Sequence, residues 1–225
     1  LAIASSELRP GGGKASGLPV KRYRSYHDML NDRDIDAVII SVPDHHHARF
    51  ATEGIKAGKH VYCEKSVTLK ESELNELYEA VEGSDKVYQL GHQYVKNSIF
   101  TYAKEIIDKE VLGKISLVET TTNRNTSHGA WIRHLDAKGN PKPGDLDSID
   151  WDQWLGETPK VPFSTDRFYN WTKWFDYDSG LIGQLFSHEF DAINQLLSIG
   201  IPSSVVSSGG IYRWKDNREM ADVFH

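Results

Sequence analysis

The chain has 225 residues, 39% hydrophobic and 26% charged, which suits one large or two modest folded domains and excludes a disordered chain. Its net charge of −6 opposes a general attraction to nucleic acid, and no apolar run approaches the roughly 20 residues of a membrane span. The single cysteine, Cys63, excludes an internal disulfide and fits a reducing compartment, so a cytoplasmic protein engaging neither nucleic acid nor membrane is expected.

The chain opens at Leu1 without an initiator Met and ends among strand-type residues. A piece of a longer protein is expected, and a signal peptide ahead of Leu1 stays open. Residues 1–6 read as a buried parallel strand. The loop at 8–19 contains Gly11-Gly12-Gly13-Lys14, without the spacing of a phosphate loop or a dinucleotide fingerprint, and reads as a flexible linker. A short helix is expected at 26–30 and a buried strand at 35–42. Pro43 ends that strand, and Asp44 is expected to cap a helix running to Ala57, with Gly58 as its C′ residue. A strand at 61–63 runs into Glu64-Lys65. The helix expected at 71–82 places Leu74, Leu77, Tyr78 and Val81 on one face, and a strand follows at 87–91. Short apolar strands alternating with helices predict a doubly wound parallel sheet.

After Gln93 the pattern changes. A helix is expected at 99–109, with Ile99, Ala103, Ile106 and Ile107 apolar. The Thr- and Val-rich run 115–122 reads as the first strand of a second sheet, and 123–150 as a long polar excursion. Residues 151–177 hold four of the six tryptophans: Trp151, Trp154, Trp171 and Trp174. A helix at 183–197 and antiparallel strands at 205–214 and 220–224 complete the chain. The expected division is 1–95 and 96–225.

Four groups of residues could carry chemistry. Glu64-Lys65 is either a surface ion pair at a strand end or a crevice-facing pair in which a partly desolvated Lys65 moves a proton. His45-His46-His47 invites a metal, but consecutive helical residues point about 100° apart, whereas metal-binding helices use wider spacings. No metal is expected there, and a helix start facing the crevice is the better reading. Gln184, His188 and Asp191 share one face of the expected helix; His188 is either a hydrogen-bonded core histidine or an acid/base group. In the aromatic stretch, Arg167 and Asn170 lie among rings that either stack on sugars or form a core beneath a loop.

In this order the pieces resemble the glucose–fructose oxidoreductase / inositol dehydrogenase (Gfo/Idh/MocA) family. The residues that carry the resemblance are Ile35 through Pro43-Asp44-His45-His46-His47, Gly58 through Glu64-Lys65, Gly91-His92-Gln93, Leu112 through Ile115, Trp151 through Gly156, and Trp171 through the Gly180–Asp191 stretch. The resemblance implies a partial Rossmann domain, then an α+β domain with a large, mostly antiparallel sheet. It implies hydride transfer between NAD or NADP and a secondary hydroxyl of a sugar, glycoside or cyclitol, in a homodimer or homotetramer. Lys65 and His188 would be catalytic. Ser5, Ser6, Val42, Pro43, Asp44, His47, Glu64, Lys65 and Gln93 would line the cofactor; Asn123, Arg167, Trp171, Gln184 and His188 would face the substrate.

The chain departs from the family pattern in three places. It lacks the first strand with its Gly-rich turn, Ser66 stands where Pro is common, and Gln184 stands where many members carry Asp. Ser5 and Ser6, where an acidic residue would select NAD, leave NAD against NADP open. Two other functions fit the same residues: a glycosidase working by NAD-dependent oxidation and elimination, and a non-catalytic sugar- or partner-binding protein.

Overall fold

Three short apolar segments pair side by side because each can bury its apolar positions only against a neighbour. The computed structural model, which describes residues 21–133 and 149–225, shows them as β1 (Ala37–Ile40), β2 (His60–Glu64) and β3 (Tyr88–Gly91). All pairs are parallel, in the order β1-β2-β3. Helix α1 (Tyr26–Leu30) starts at Ser25, whose hydroxyl accepts from the His27 N–H. Helices α2 (His47–Lys56) and α3 (Glu71–Glu82) lie between successive strands, as right-handed parallel connections require. Gly58, at φ 75°, follows the end of α2 in the C′ role expected of it. The expected strand at 1–6, the Gly11–Lys14 run, Ser5 and Ser6 all lie outside the described residues.

The first core joins Val38, Ile40, Val61 and Cys63 of the sheet to Ala51 and Ile55 of α2 and Leu77 of α3. The sequence pattern is corrected at two points. Ile39 is 77% exposed, so β1 is buried on one face and not on both. On α3 only Leu77 is buried, while Leu74 and Tyr78 are largely exposed. Helix α3 meets the core along a single narrow stripe, with Ala80 and Val81 beside Leu77.

After a 3-10 turn at Gln93–Lys96, α4 (Ser98–Asp108) is capped by the Asn97 side chain, which accepts from the Ile99 N–H. Helices α5 (Trp151–Leu155) and α6 (Thr165–Tyr169) follow, each capped at its start by Asp150 and Ser164 respectively. They frame a second core of Trp151, Trp154, Leu155 and Tyr177, so the tryptophan-rich stretch is largely a core. The expected helix at 183–197 is in two parts: a π-helical segment at Ile182–Phe186, then α7 (Ser187–Leu197), which packs on α4.

The second sheet is smaller than its sequence suggests. Among the described residues it comprises β4 (Gly209–Gly210) and β5 (Val223–Phe224), paired antiparallel. Residues 115–122 form no strand, and Leu117 is 72% exposed. Thr and Val favour a strand only where a neighbouring strand takes up their backbone groups, and no described segment pairs there. Among the described residues no helix is long and apolar enough to cross a membrane.

Candidate active site

Register determines which residues meet at the carboxyl ends of the strands. Ile40 pairs with Cys63, and Glu64 with Gly91. Continuing those pairings by one or two residues brings Val42, Lys65 and His92 side by side at the sheet edge where open α/β folds bind ligands. Lys65 is thus placed by its strand, as the crevice-facing reading of Glu64-Lys65 requires.

The Lys65 ammonium donates to Gln184 Oε1, reaching from the first half of the chain into the π-helical segment of the second. The Gln184 amide is oriented by two buried carboxylates. Its Nε2 donates to Asp178 Oδ1 at 2.6 Å and to the Asp44 carboxylate at 3.0 and 3.1 Å. Turning the amide over would face its oxygen toward both carboxylates, so the hydrogen-bond partners fix which end meets Lys65. Ser179 Oγ also donates to Asp44 at 2.7 Å, and Ser66 Oγ lies 2.7 Å from Ser179 Oγ.

Burial pulls the Lys65 pKa below the ordinary lysine value, while the charges of Asp44, Asp178 and Glu64 act in the opposite sense. Burial, and then the Asp44 charge, push the Asp178 carboxyl up to about 7.

Two imidazoles stand near enough to feel the Lys65 charge. The His188 and His92 rings lie 5.8 Å apart, edge to face, with Tyr94 beside His188. His188 Nδ1 and His92 Nε2 are buried with no partner among the described residues, and His92 Nδ1 lies 3.9 Å from Asp191 Oδ1. Burial first, then the Lys65 charge, lower the His188 pKa; burial also lowers that of His92. Both rings are therefore favoured in the neutral form, with a nitrogen available to a ligand hydroxyl. Asp191 joins this group through His92, while Gln184 turns to Lys65. The π-helical segment breaks the spacing that would put Gln184, His188 and Asp191 on one face.

Several expected site residues are engaged elsewhere. Asp44 does not cap a helix: it opens a 3-10 turn without a side-chain cap, and its buried carboxylate takes its donors from Ser179 and Gln184. His47 binds the Ser66 carbonyl at 2.6 Å through Nδ1 and the Val42 carbonyl at 2.8 Å through Nε2, tying two strand ends together. His45 and His46 converge on the Trp154 carbonyl, at 2.9 and 2.7 Å, while His47 turns away to the strand ends. Pro43 and Glu64 lie at the strand ends beside Lys65, and Gln93 is exposed just past β3. Arg167 stacks on Trp174 at 4.1 Å and donates to Tyr177 Oη at 3.2 Å, and Trp171 packs on the second core. Asn123 is exposed.

Sequence reasoning missed His92 and Asp178. His92 directly follows Gly91, the partner of Glu64, so counting the register one residue past each strand end identifies it. Asp178 lies in a loop, where no periodicity marks it.

A nicotinamide cofactor would meet its polar partners at this edge of the sheet. The ends of three adjacent parallel strands and two unpartnered buried imidazole nitrogens fit the nicotinamide end of such a group. Asp44 and His47, with their polar atoms already engaged, contribute shape and not hydrogen bonds.

A parallel sheet with helices between its strands, and Lys65 and His92 just past its carboxyl edge, defines an α/β protein of the Rossmann type. The chain belongs to the Gfo/Idh/MocA oxidoreductase family: residues 5–92 match its NAD-binding Rossmann fold, and residues 97–206 its C-terminal alpha/beta domain. It is 26% identical to levoglucosan dehydrogenase of Pseudarthrobacter phenanthrenivorans over 93% of this chain and 47% of that relative. Inositol 2-dehydrogenase of Salmonella typhimurium is 30% identical over 52% of this chain and 36% of its own. The chain therefore spans less than half the length of these relatives. Two solved structures share its fold. A levoglucosan dehydrogenase in complex with NADH and levoglucosan has a TM-score of 0.59 at 21% identity, over 90% of this chain and 46% of that one. The putative oxidoreductase YvaA of Bacillus subtilis has a TM-score of 0.60 at 21% identity, over 89% of this chain and 45% of that one.

Proposed function

We propose that the protein is an NAD- or NADP-dependent dehydrogenase acting on a secondary hydroxyl of a sugar or cyclitol, with Lys65 and His188 as its acid/base residues. The observation that carries this reading is Lys65 itself: a half-buried amine at the end of the central strand, held by Gln184, whose charge helps to keep two nearby imidazoles neutral. The relatives named for levoglucosan and inositol support the substrate class.

The chemistry a bound nicotinamide supplies is acceptance of a hydride from a carbinol carbon. The protein's part is the proton. Burial makes the Lys65 amine easier to deprotonate, and the neutral amine takes the hydroxyl proton as the carbonyl forms. Gln184 Oε1 occupies one Lys65 N–H and so leaves the lone pair free to point at the substrate. His188 is the second acid/base group, and its Nδ1, with His92 Nε2 beside it, also hydrogen-bonds neighbouring hydroxyls and orients the ring. Val42, Pro43, Glu64 and Gln93 border the cofactor; Gln184 faces the substrate side. A division near residue 95, cytoplasmic location and assembly as a homodimer or homotetramer belong to the same reading, and the matched ranges support the division.

The test is nicotinamide reduction by the full-length protein over a panel of aldoses, anhydrosugars and cyclitols, with NAD and NADP supplied separately. Reduction with at least one of them is expected. No reduction with any member, together with no binding of either cofactor by calorimetry, would remove the reading.

A further inference from the structure

Gln184 raises a chemical question. The family resemblance places a carboxylate at this position, and an amide can neither hold a negative charge nor exchange a proton with Lys65. The charge is nevertheless present one residue further away. Asp178, 3% exposed, lies 2.6 Å behind the Gln184 amide, on the side opposite Lys65. We propose that Asp178 is the positioning carboxylate of this site: across the Gln184 amide it fixes where the Lys65 amine points and how readily that amine gives up its proton. This rests on the reading of Lys65 as the acid/base residue.

The geometry supports the assignment in two ways. Asp178 and Asp44 together take both protons of the Gln184 amide, so the carbonyl is left for Lys65. Replacing either carboxylate by an apolar group would release the amide to rotate. The interaction is also electrostatic. Asp178 sits in a low-dielectric pocket, where a charge one amide away is felt strongly, and its ionisation raises the Lys65 pKa. Gln184 passes no proton; it transmits orientation and field.

The charged groups around this pair come from every adjoining element. Asp44 stands on the turn after β1. Glu64 ends β2, His92 follows β3, and His188 lies on α7. Arg218, from the segment before β5, borders a small cavity shared with Asp178, but Asp216 holds its guanidinium at 2.7 and 2.8 Å. Asp44 and Asp178 are thus the carboxylates that act on Lys65 from behind Gln184. Asp178 makes the shorter contact with the amide, at 2.6 Å, and burial holds its carboxyl up to about 7. As pH rises through about 7, Asp178 ionises and makes Lys65 hold its proton more tightly.

The test is Asp178→Asn in the full-length protein, where the asparagine oxygen can still accept from Gln184. Two readouts are taken. The first needs no substrate: 13C-lysine NMR, with the Lys65 signal identified by its loss in Lys65→Arg. The wild-type Lys65 signal is expected to show a second inflection near pH 7, as Asp178 ionises. In Asp178→Asn that inflection disappears, and Lys65 titrates about one unit lower. The second readout is the pH profile of kcat/KM, whose acid limb moves down by the same amount with KM changed less than about twofold. Asp178→Ser, smaller and still an acceptor, gives the same shifts. A wild-type Lys65 signal with one smooth transition, or the same Lys65 titration in the variants, overturns the proposal. Because the NMR arm needs no turnover, failure of the dehydrogenase reading is seen separately, in the substrate panel.

Discussion

Gln184 is the residue on which the site turns. Its oxygen meets a cation and its nitrogen meets two carboxylates. Few side chains satisfy that arrangement, since it needs one acceptor and two donors back to back. Gln184→Glu removes both donors and brings a third carboxylate against Asp44 and Asp178. The expected result is a loss of about 3 kcal/mol at pH 8, within the range for an uncompensated buried charge, seen as a lower denaturant midpoint. An unchanged midpoint would mean that the two carboxylates do not face this side chain. The sequence showed Gln184 as an anomaly on an apolar helix, and Lys65 as a charge at a strand end. It did not show that Asp178 accompanies them, because the contact between 178 and 184 depends on the chain path through Ser179 and Gly180 and on no repeat.

At the scale of elements, the π-helical segment is what brings Gln184 to Lys65. Gly183 is required there by space. A Cβ at Gly183 would collide with the Ser179 side chain and with Ser66 Oγ, which meet beside it. The strain cannot be relieved by a long flexible side chain, since both neighbours are short and hydrogen-bonded to each other. The Ser187 hydroxyl donates to the Gly183 carbonyl at 2.5 Å, a back-bond to the preceding turn that suits a bent or bulged helix. Gly183→Ala is expected to cost about 2 kcal/mol by overpacking and to weaken the Lys65–Gln184 contact. Equal stability in urea unfolding would show that the segment can shift without loss. Regular elements were the legible part of the fold: the bounds of α1 and α3, the three parallel strands and the C′ glycine of α2 all follow from pattern and caps. The bulge and the absence of a strand at 115–122 were not legible. One arises from packing against residues more than a hundred positions away, and the other from the lack of a pairing neighbour among the described residues.

At the scale of the whole molecule, the two halves meet through polar contacts whose protonation depends on pH. His46 is 5% exposed, and burial lowers its pKa to about 3 from an ordinary 6.5. The unfolded chain therefore binds more protons than the folded one between those values, so His46 contributes stability above pH 6.5 that is lost as pH falls toward 3. The limiting slope for one such group is about 1.4 kcal/mol per pH unit. Asp178 acts in the opposite direction. Its folded pKa is raised to about 7 from 3.8, so its contribution is present at low pH and is lost as pH rises through 7. His46→Gln, which can still donate to the Trp154 carbonyl, is expected to flatten the acid-side loss of stability measured by urea unfolding from pH 7 to pH 4. Asp178→Asn is expected to steepen it. The same slope in all three proteins would contradict the burial of these groups.

The central chemical role in this site, removal of the substrate proton, falls to Lys65. The direct measurement compares wild-type and Lys65→Ala full-length protein for turnover on a substrate accepted in the panel, with cofactor affinity measured by calorimetry in the same samples. The expected result is a loss of turnover of about a thousandfold or more, with cofactor affinity changed by less than about tenfold, since Lys65 is one of several residues at that edge. Turnover within twofold of the wild type would contradict the assignment of the proton to Lys65.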